Sequence, residues 1–396
     1  MSCLNNKLLG PLGLFVIASL FMGLYSGLYD PSFNNYLAQV HNISEVARGG
    51  LEFPRELPGF LVVFIFSALA FLPDTRLALL AAGLVGLSLW GQGFLAPGIK
   101  SVVFWMFLWS CGTHLFMVLK SSIGLRLADK GSEGRLLGRL GGYESWGALT
   151  GMLVVYWGVS KFHLDFSVIF GISGTCALLA ALALFFIHPQ PIKRPPRYLM
   201  FKKKYGLYYL LSMLFGARKQ VFLTFGPWVL IKLFGSGVKT FALLGLIGTG
   251  LSLFFRPLLG RAIDAWGERV IIAIESLLLF AICLLYALAP RYFGHQTGLL
   301  IIMVCFVTDQ VLMAVTIART TFLNRIVDDP GDLGPTISMG LTLDHAVSMS
   351  VPFAGGLLWA VCGYQWVFIA AAVIALINLG ASFFISRPRT LSGIVG

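Results

Sequence analysis

Apolar runs of roughly 20 residues, each closed by a charged or Pro/Gly-rich turn, follow one another along almost the whole chain. About 20 apolar residues are what a helix needs to cross a bilayer. The pattern therefore predicts twelve spanning helices, near 10–38, 55–73, 77–95, 100–127, 136–159, 165–187, 205–233, 238–260, 268–290, 295–324, 335–362 and 365–386. Strand-like alternation is not the organising period, so the predicted class is an all-α polytopic membrane protein.

Polar positions inside these runs repeat. Lys120, Arg126 and Asp129 in the first half are answered by Arg319, Arg325 and Asp328 at an offset of 199. Gly131, Gly134 and Glu144 are answered by Gly331, Gly334 and Asp344 at an offset of 200. Asp344 thus sits in an apolar helix where Glu144 sits in another. Such internal duplication with paired charges is a common way of building secondary transporters. It predicts two pseudo-symmetric six-helix halves, 1–187 and 205–396, joined by a linker at 188–204.

Composition sharpens the class. Hydrophobic residues make up 57% of the 396 and charged residues 12%, with a mean hydropathy of +0.84. The net charge of +12 does not point to nucleic acid, because its distribution follows the positive-inside rule. With both termini inside, 18 of the 29 Lys and Arg residues fall on that side, 7 on the other, and 4 (Lys120, Arg218, Lys219, Arg319) within helices. The linker is the densest basic stretch, with Lys193, Arg194, Arg197, Lys202, Lys203 and Lys204, and its four prolines forbid a regular helix. The expected location is the inner (plasma) membrane, with cytoplasmic termini. The six cysteines form no disulfide framework and no CxxC pair, and Walker, HExxH and nucleophile motifs are missing. No enzyme activity, cofactor or metal is expected.

Two six-helix halves joined by a basic, proline-bearing linker resemble the major facilitator superfamily along the whole chain. Gly260-Arg-Ala-Ile-Asp264-Ala-Trp-Gly267-Glu-Arg269 is similar to that family's G-x-x-x-D-x-x-G-x-R loop between helices eight and nine. Gly260 is expected to let two helices approach, Asp264 to cap the next helix or bind basic groups, and Gly267 to make the turn. The matching first-half loop keeps only Asp74-Thr-Arg76, and helix five lacks the family's antiporter motif. The resemblance implies twelve transmembrane helices, a monomer, and two halves rocking about a cavity lined by helices one, four, seven and ten.

Charges inside a bilayer cost about 2.5–3.5 kcal/mol each on lenient scales, so each is a functional candidate. Matching depth predicts two pairs within the halves, Lys120–Glu144 and Arg319–Asp344. Helices one and seven align at an offset of 189, which matches Gly27 to Gly216, Asp30 to Lys219 and Phe33 to Phe222. Asp30 pairing with Lys219 or Arg218 in one state and parting in the other would make a gate. Asn34, Asn35 and Gln220 add hydrogen-bonding groups beside them. Asp309, with no basic residue within two turns of its own helix, is placed to exchange a proton, and Glu144 and Asp344 are further candidates. His345 could titrate near neutral pH or act as a hydrogen-bond spacer, and His114 is read the same way.

The expected function is proton-coupled secondary transport of a small organic solute. The four intramembrane cations favour an anionic or amphipathic one. The alternatives are a multidrug-type proton antiporter exporting lipophilic compounds, and a non-transporting membrane sensor on the same scaffold.

Overall fold

In hydrocarbon every backbone N–H and C=O must be paired within the protein, which closes each crossing into a helix. The computed structural model describes residues 10–69, 71–129, 132–188 and 201–386 and contains only helices and their connections among them. Lys193, Arg194 and Arg197 of the linker and Gly131 of the repeat lie outside the described residues. In order come α1 (Pro11–Gln39), a short α2 (Glu45–Gly50), α3 (Glu52–Ala68), α4 (Asp74–Phe94), α5 (Ile99–Leu127), α6 (Glu133–Phe162) and α7 (Phe166–Phe185). The second half opens with α8 (Gly206–Phe234) and continues as Val238–Tyr292, bent at Gly267 into α9 (238–266) and α10 (268–292). There follow α11 (Gly294–Leu312), a 3-10 turn at Met313–Val315, α12 (Thr316–Ile326), α13 (Pro330–Cys362) and α14 (Tyr364–Ser382). With α11 and α12 forming one crossing and α2 set aside, these are twelve long helices in two groups of six. Among the described residues eight helical stretches are long and apolar enough to cross a membrane, α9 and α10 counting as one. The chain is a multi-pass membrane protein.

Two buried clusters hold the halves. One runs from Leu14 to Ile187 and takes in Trp228, Val238 and Ala242 from the second half. The other runs from Tyr205 to Ile385. Close helix contacts depend on missing side chains. A Cβ at Gly23 or Gly27 on α1 would run into the carbonyls of Glu144 and Ala148 on α6, and one at Gly216 on α8 would lie 2.6 Å from the Asp344 carbonyl on α13. The predicted counterparts Gly27 and Gly216 thus perform the same packing task in each half.

Several predicted helix boundaries shift by three to six residues, and two of the shifts bear on the site and the loop motif. The second helix begins at Glu52 and not near 55, because α2 caps on Ser44 and runs into it. This carries Glu52, Arg55 and Glu56 into the bundle. The turn expected after residue 260 is helix up to Trp266, since Ile263 finds a buried place. A Cβ at Gly260 would meet open space, so no close approach occurs there. Asp264 is exposed and helical, and Arg269 lies 5.3 Å from the Phe383 ring. Only Gly267 does what the motif suggested: its φ of 78° and ψ of 162° belong to a backbone region that glycine alone enters without strain.

Candidate functional site

Pro31 cannot donate to the Gly27 carbonyl, and Pro227 leaves the Leu223 carbonyl likewise unpaired, so each of α1 and α8 carries a weak turn at the level of its charged residues. Between these turns lies a cavity of about 160 Å³ walled by Asp30 and Asn34 of α1, Met152 of α6, Phe222 of α8, Phe241 of α9, and Phe306 and Gln310 of α11. A second cavity, of about 360 Å³, is lined by Tyr25, Trp109, Thr113, Lys120 and Glu144. Asp30 is the residue common to both. The residue is exposed, and among the described residues no hydrogen bond or ion pair is made to its carboxylate.

The cations are all committed elsewhere. Lys120 bonds to Glu144 within the first half, as the matching depths suggested. The mirrored pair does not form: Arg319 binds Glu275 at 2.8 Å, and Asp344 binds Lys219 at 2.7 Å. In this state the expected gate partners stand apart, with Lys219 held by Asp344 and Arg218 by Asp309 at 2.7 Å. Asp309 is therefore not without a partner. Its cation comes from α8, and a search of its own helix could not find it. Ser348 adds a second donor to Asp344 at 3.0 Å. Periodicity says which residues share a helix face, but not which of several opposite charges on neighbouring helices will be met.

One symmetric feature went unread in the sequence. Arg126 clasps Asp74 at 2.8 Å and Arg325 clasps Glu268 at 3.0 Å. Both pairs tie the end of a half's fourth helix to the start of its third. The signal was present, since Arg126 and Arg325 match in the repeat, but their acidic partners begin helices outside the repeated stretch.

The predicted polar neighbours divide in two. Asn34 faces the cavity and accepts from Arg48 Nε at 2.9 Å. Asn35 is fully buried and accepts from Gln39 at 3.0 Å, so it lines no cavity. Gln220 donates across the halves to Glu52. His345 Nδ1 lies 2.8 Å from Glu56 Oε2.

The sequence of the chain matches no family model and no curated protein. Solved structures do match. The nucleoside transporter NupG superposes with a TM-score of 0.73 at 13% identity, covering 96% of this chain and 100% of that one. A bacterial homolog to the human lysosomal transporter Spinster, solved inward-facing and occupied, gives 0.70 at 13%, covering 97% of each chain. A D-xylose-proton symporter gives 0.69 at 16%, covering 95% of this chain and 97% of that one. The chain has the major facilitator fold.

Within the major facilitator fold the cavity departs from the expected lining. Helices one, seven and ten contribute, but so do helices five and eight through Met152, Phe241 and Gly245. Helix four supplies only the second cavity, through Trp109, Thr113 and Lys120. One set of contacts between the halves lies at the end of the bundle away from the linker. There Lys232 approaches Glu45 at 4.0 Å, a Cβ on Gly356 would meet the Glu45 carbonyl at 2.6 Å, and Lys239 sits 5.0 Å over Tyr156. Glu52 anchors this closure. It lies fully buried and binds Arg48 at 2.5 Å, Arg55 at 3.0 Å, and Gln220 of the other half. Sequence reading missed Glu52 and Glu56 because the predicted helix began after the first and at the edge of the second.

Proposed function

We propose that the chain is a secondary transporter that moves a small amphipathic solute by alternating access, with Asp30 as the site exchanged between solute and proton. The observation that carries this is an exposed aspartate, its carboxylate unpaired among the described residues, shared by two cavities, one of them between the halves. A proton or the hydrogen-bond donors of a solute can occupy it in turn, and that competition is the simplest form of coupling. The halves 1–187 and 205–396 would rock about the cavity, with 188–204 as a tether, and a monomer in the inner membrane with cytoplasmic termini suffices. Closure at the end away from the linker corresponds to an inward-facing state on this orientation. The similarity to a nucleoside transporter and to a D-xylose-proton symporter supports small polar solutes and coupling by protons.

The preference for an anion rested on four intramembrane cations. Each of them is neutralised by its own carboxylate, so what supports a solute class now is Asp30, which suits a cationic or donor-rich molecule. Phe222, Phe241 and Phe306 around the same acid favour a second reading, a multidrug-type antiporter for lipophilic cations.

Proton movement in sealed proteoliposomes tests both. Nucleosides, pentoses, lipophilic cations and organic anions are added in turn to wild type and to Asp30→Asn. One donor-rich compound evoking a flux that the variant lacks is the expected result, and many unrelated lipophilic cations doing so would favour the second reading. Wild-type flux in the variant would remove Asp30 from the mechanism.

A further inference from the structure

Three side chains that are far apart in sequence converge where the halves touch: Glu56 on α3, His114 on α5 and His345 on α13. One ligand-capable atom from each lies within 4.8 Å of the other two. The imidazole centroids of His114 and His345 are 5.0 Å apart, edge to face, and Glu56 and His345 are buried. Two of the residues belong to one half and the third to the other.

Three features go beyond a polar clasp. His114 Nδ1 lies 2.9 Å from the Ser110 backbone oxygen, which can only accept, so Nδ1 carries the hydrogen and Nε2 offers a bare lone pair. Metal-bound histidines are commonly oriented by such a bond to a backbone carbonyl. Gly59 keeps the meeting point of the rings open, since a Cβ there would lie 2.7 Å from His114 Nε2 and 2.6 Å from His345 Cε1. Finally, two imidazoles and a carboxylate are a donor set that zinc and its first-row neighbours accept with one position left open. The nearby cations add no unpaired charge, because Arg55 is bound to Glu52 and Lys219 to Asp344.

We propose that Glu56, His114 and His345 form a binding site for a first-row divalent cation of the zinc class, which when bound ties the two halves together. Ligand bonds of about 2.0–2.1 Å require the three donor atoms to draw closer than they now stand, which side-chain rotation about χ1 and χ2 supplies. The proton shared by Glu56 and His345 leaves as the ion enters. The inference does not depend on the transport reading.

Purified protein in detergent is equilibrated with Co2+ or Zn2+, dialysed against metal-free buffer and assayed for bound metal and for the visible d–d bands of four-coordinate Co2+. The expected result is one ion per chain, with those bands, and a thermal midpoint raised by Zn2+. His114→Ala should weaken binding by at least about tenfold and lose the Zn2+ shift. Gly59→Ala retains all three ligands but fills the space between them, and should weaken binding as well. Both variants are scored only where gel filtration shows the wild-type profile, and His345→Gln is the replacement if either fails. Stoichiometric metal in wild type that His114→Ala leaves unchanged would overturn the site. So would wild type that retains no metal, which would leave the trio as a hydrogen-bonded clasp.

Discussion

At one level the two halves are copies, and deeper in the bundle they are not. Arg126–Asp74 and Arg325–Glu268 clasp equivalent helix ends at the linker side. Below them Lys120 binds Glu144 on the adjacent helix of its own half. Its counterpart Arg319 turns instead to Glu275 on α10, which frees Asp344 for Lys219 on α8. Lys219 stands where Asp30 stands in the first half, so the exchange of partners has one visible result. In the second half Arg218, Lys219 and Arg319 each meet a carboxylate of their own half, and in the first half Asp30 stands at the cavity with none among the described residues. The matched positions carry charge in both halves, and the difference lies in whom the charges meet.

The sharpest break of this comparison is to unpair a deep charge of the second half. Arg319 and Glu275 are 4% and 0% exposed, so Glu275→Gln strands a buried guanidinium. It should cost about 3–5 kcal/mol, read as a large fall in thermal midpoint in detergent. Replacing both, as Arg319→Met with Glu275→Leu, should recover most of that loss, because well-packed apolar residues often substitute for a buried pair. Asp309→Asn should behave like Glu275→Gln, since Arg218 and Asp309 are 6% and 7% exposed. A variant that keeps its stability and loses only proton flux would instead return Asp309 to the coupling role its isolation in the sequence suggested.

Asp30→Asn should show the opposite signature. It strands no partner, so its stability should stay within about 0.5 kcal/mol of wild type, as for substitutions away from packed features. Its solute-driven flux should fall on the order of 100-fold, the equivalent of about 2–3 kcal/mol for a hydrogen bond to a charged group. Equal losses of stability and flux would mean that Asp30 has a structural partner in another state, and the contrast between the halves would narrow.

Much of this was legible in the chain. The apolar period gave the crossings, and the repeat gave Lys120, Glu144, Arg319 and Asp344 their depths. Gly27 and Gly216 could be matched in the sequence, but the close helix contact that each makes is seen only in the structure. Pairing was not legible, because a charge on one helix can face any of two or three neighbours. Asp309 shows this most plainly: nothing on its own helix reveals Arg218. The far-end closure was hidden by a boundary, since moving the start of α3 by a single turn decides whether Glu52 belongs to a loop or to the interface. The Glu56, His114 and His345 cluster was out of reach for a further reason, since motif spacing detects ligands on one segment and these come from three.

The smallest effect expected concerns the first-half pair itself. Lys120 and Glu144 are 25% and 34% exposed at their side chains, and they border the cavity that Asp30 shares. Water reaching that cavity screens the pair, which limits its worth to about 1 kcal/mol or less. Lys120→Met should therefore lower the thermal midpoint only slightly, far less than Glu275→Gln at the corresponding depth. It leaves Glu144 as a second bare acid beside Asp30, so the variant should also shift the solute profile toward cations. A stability loss as large as that of the second-half pair would mean that Lys120–Glu144 is as dry as Arg319–Glu275. The halves would then differ in partner choice alone and not in access to water.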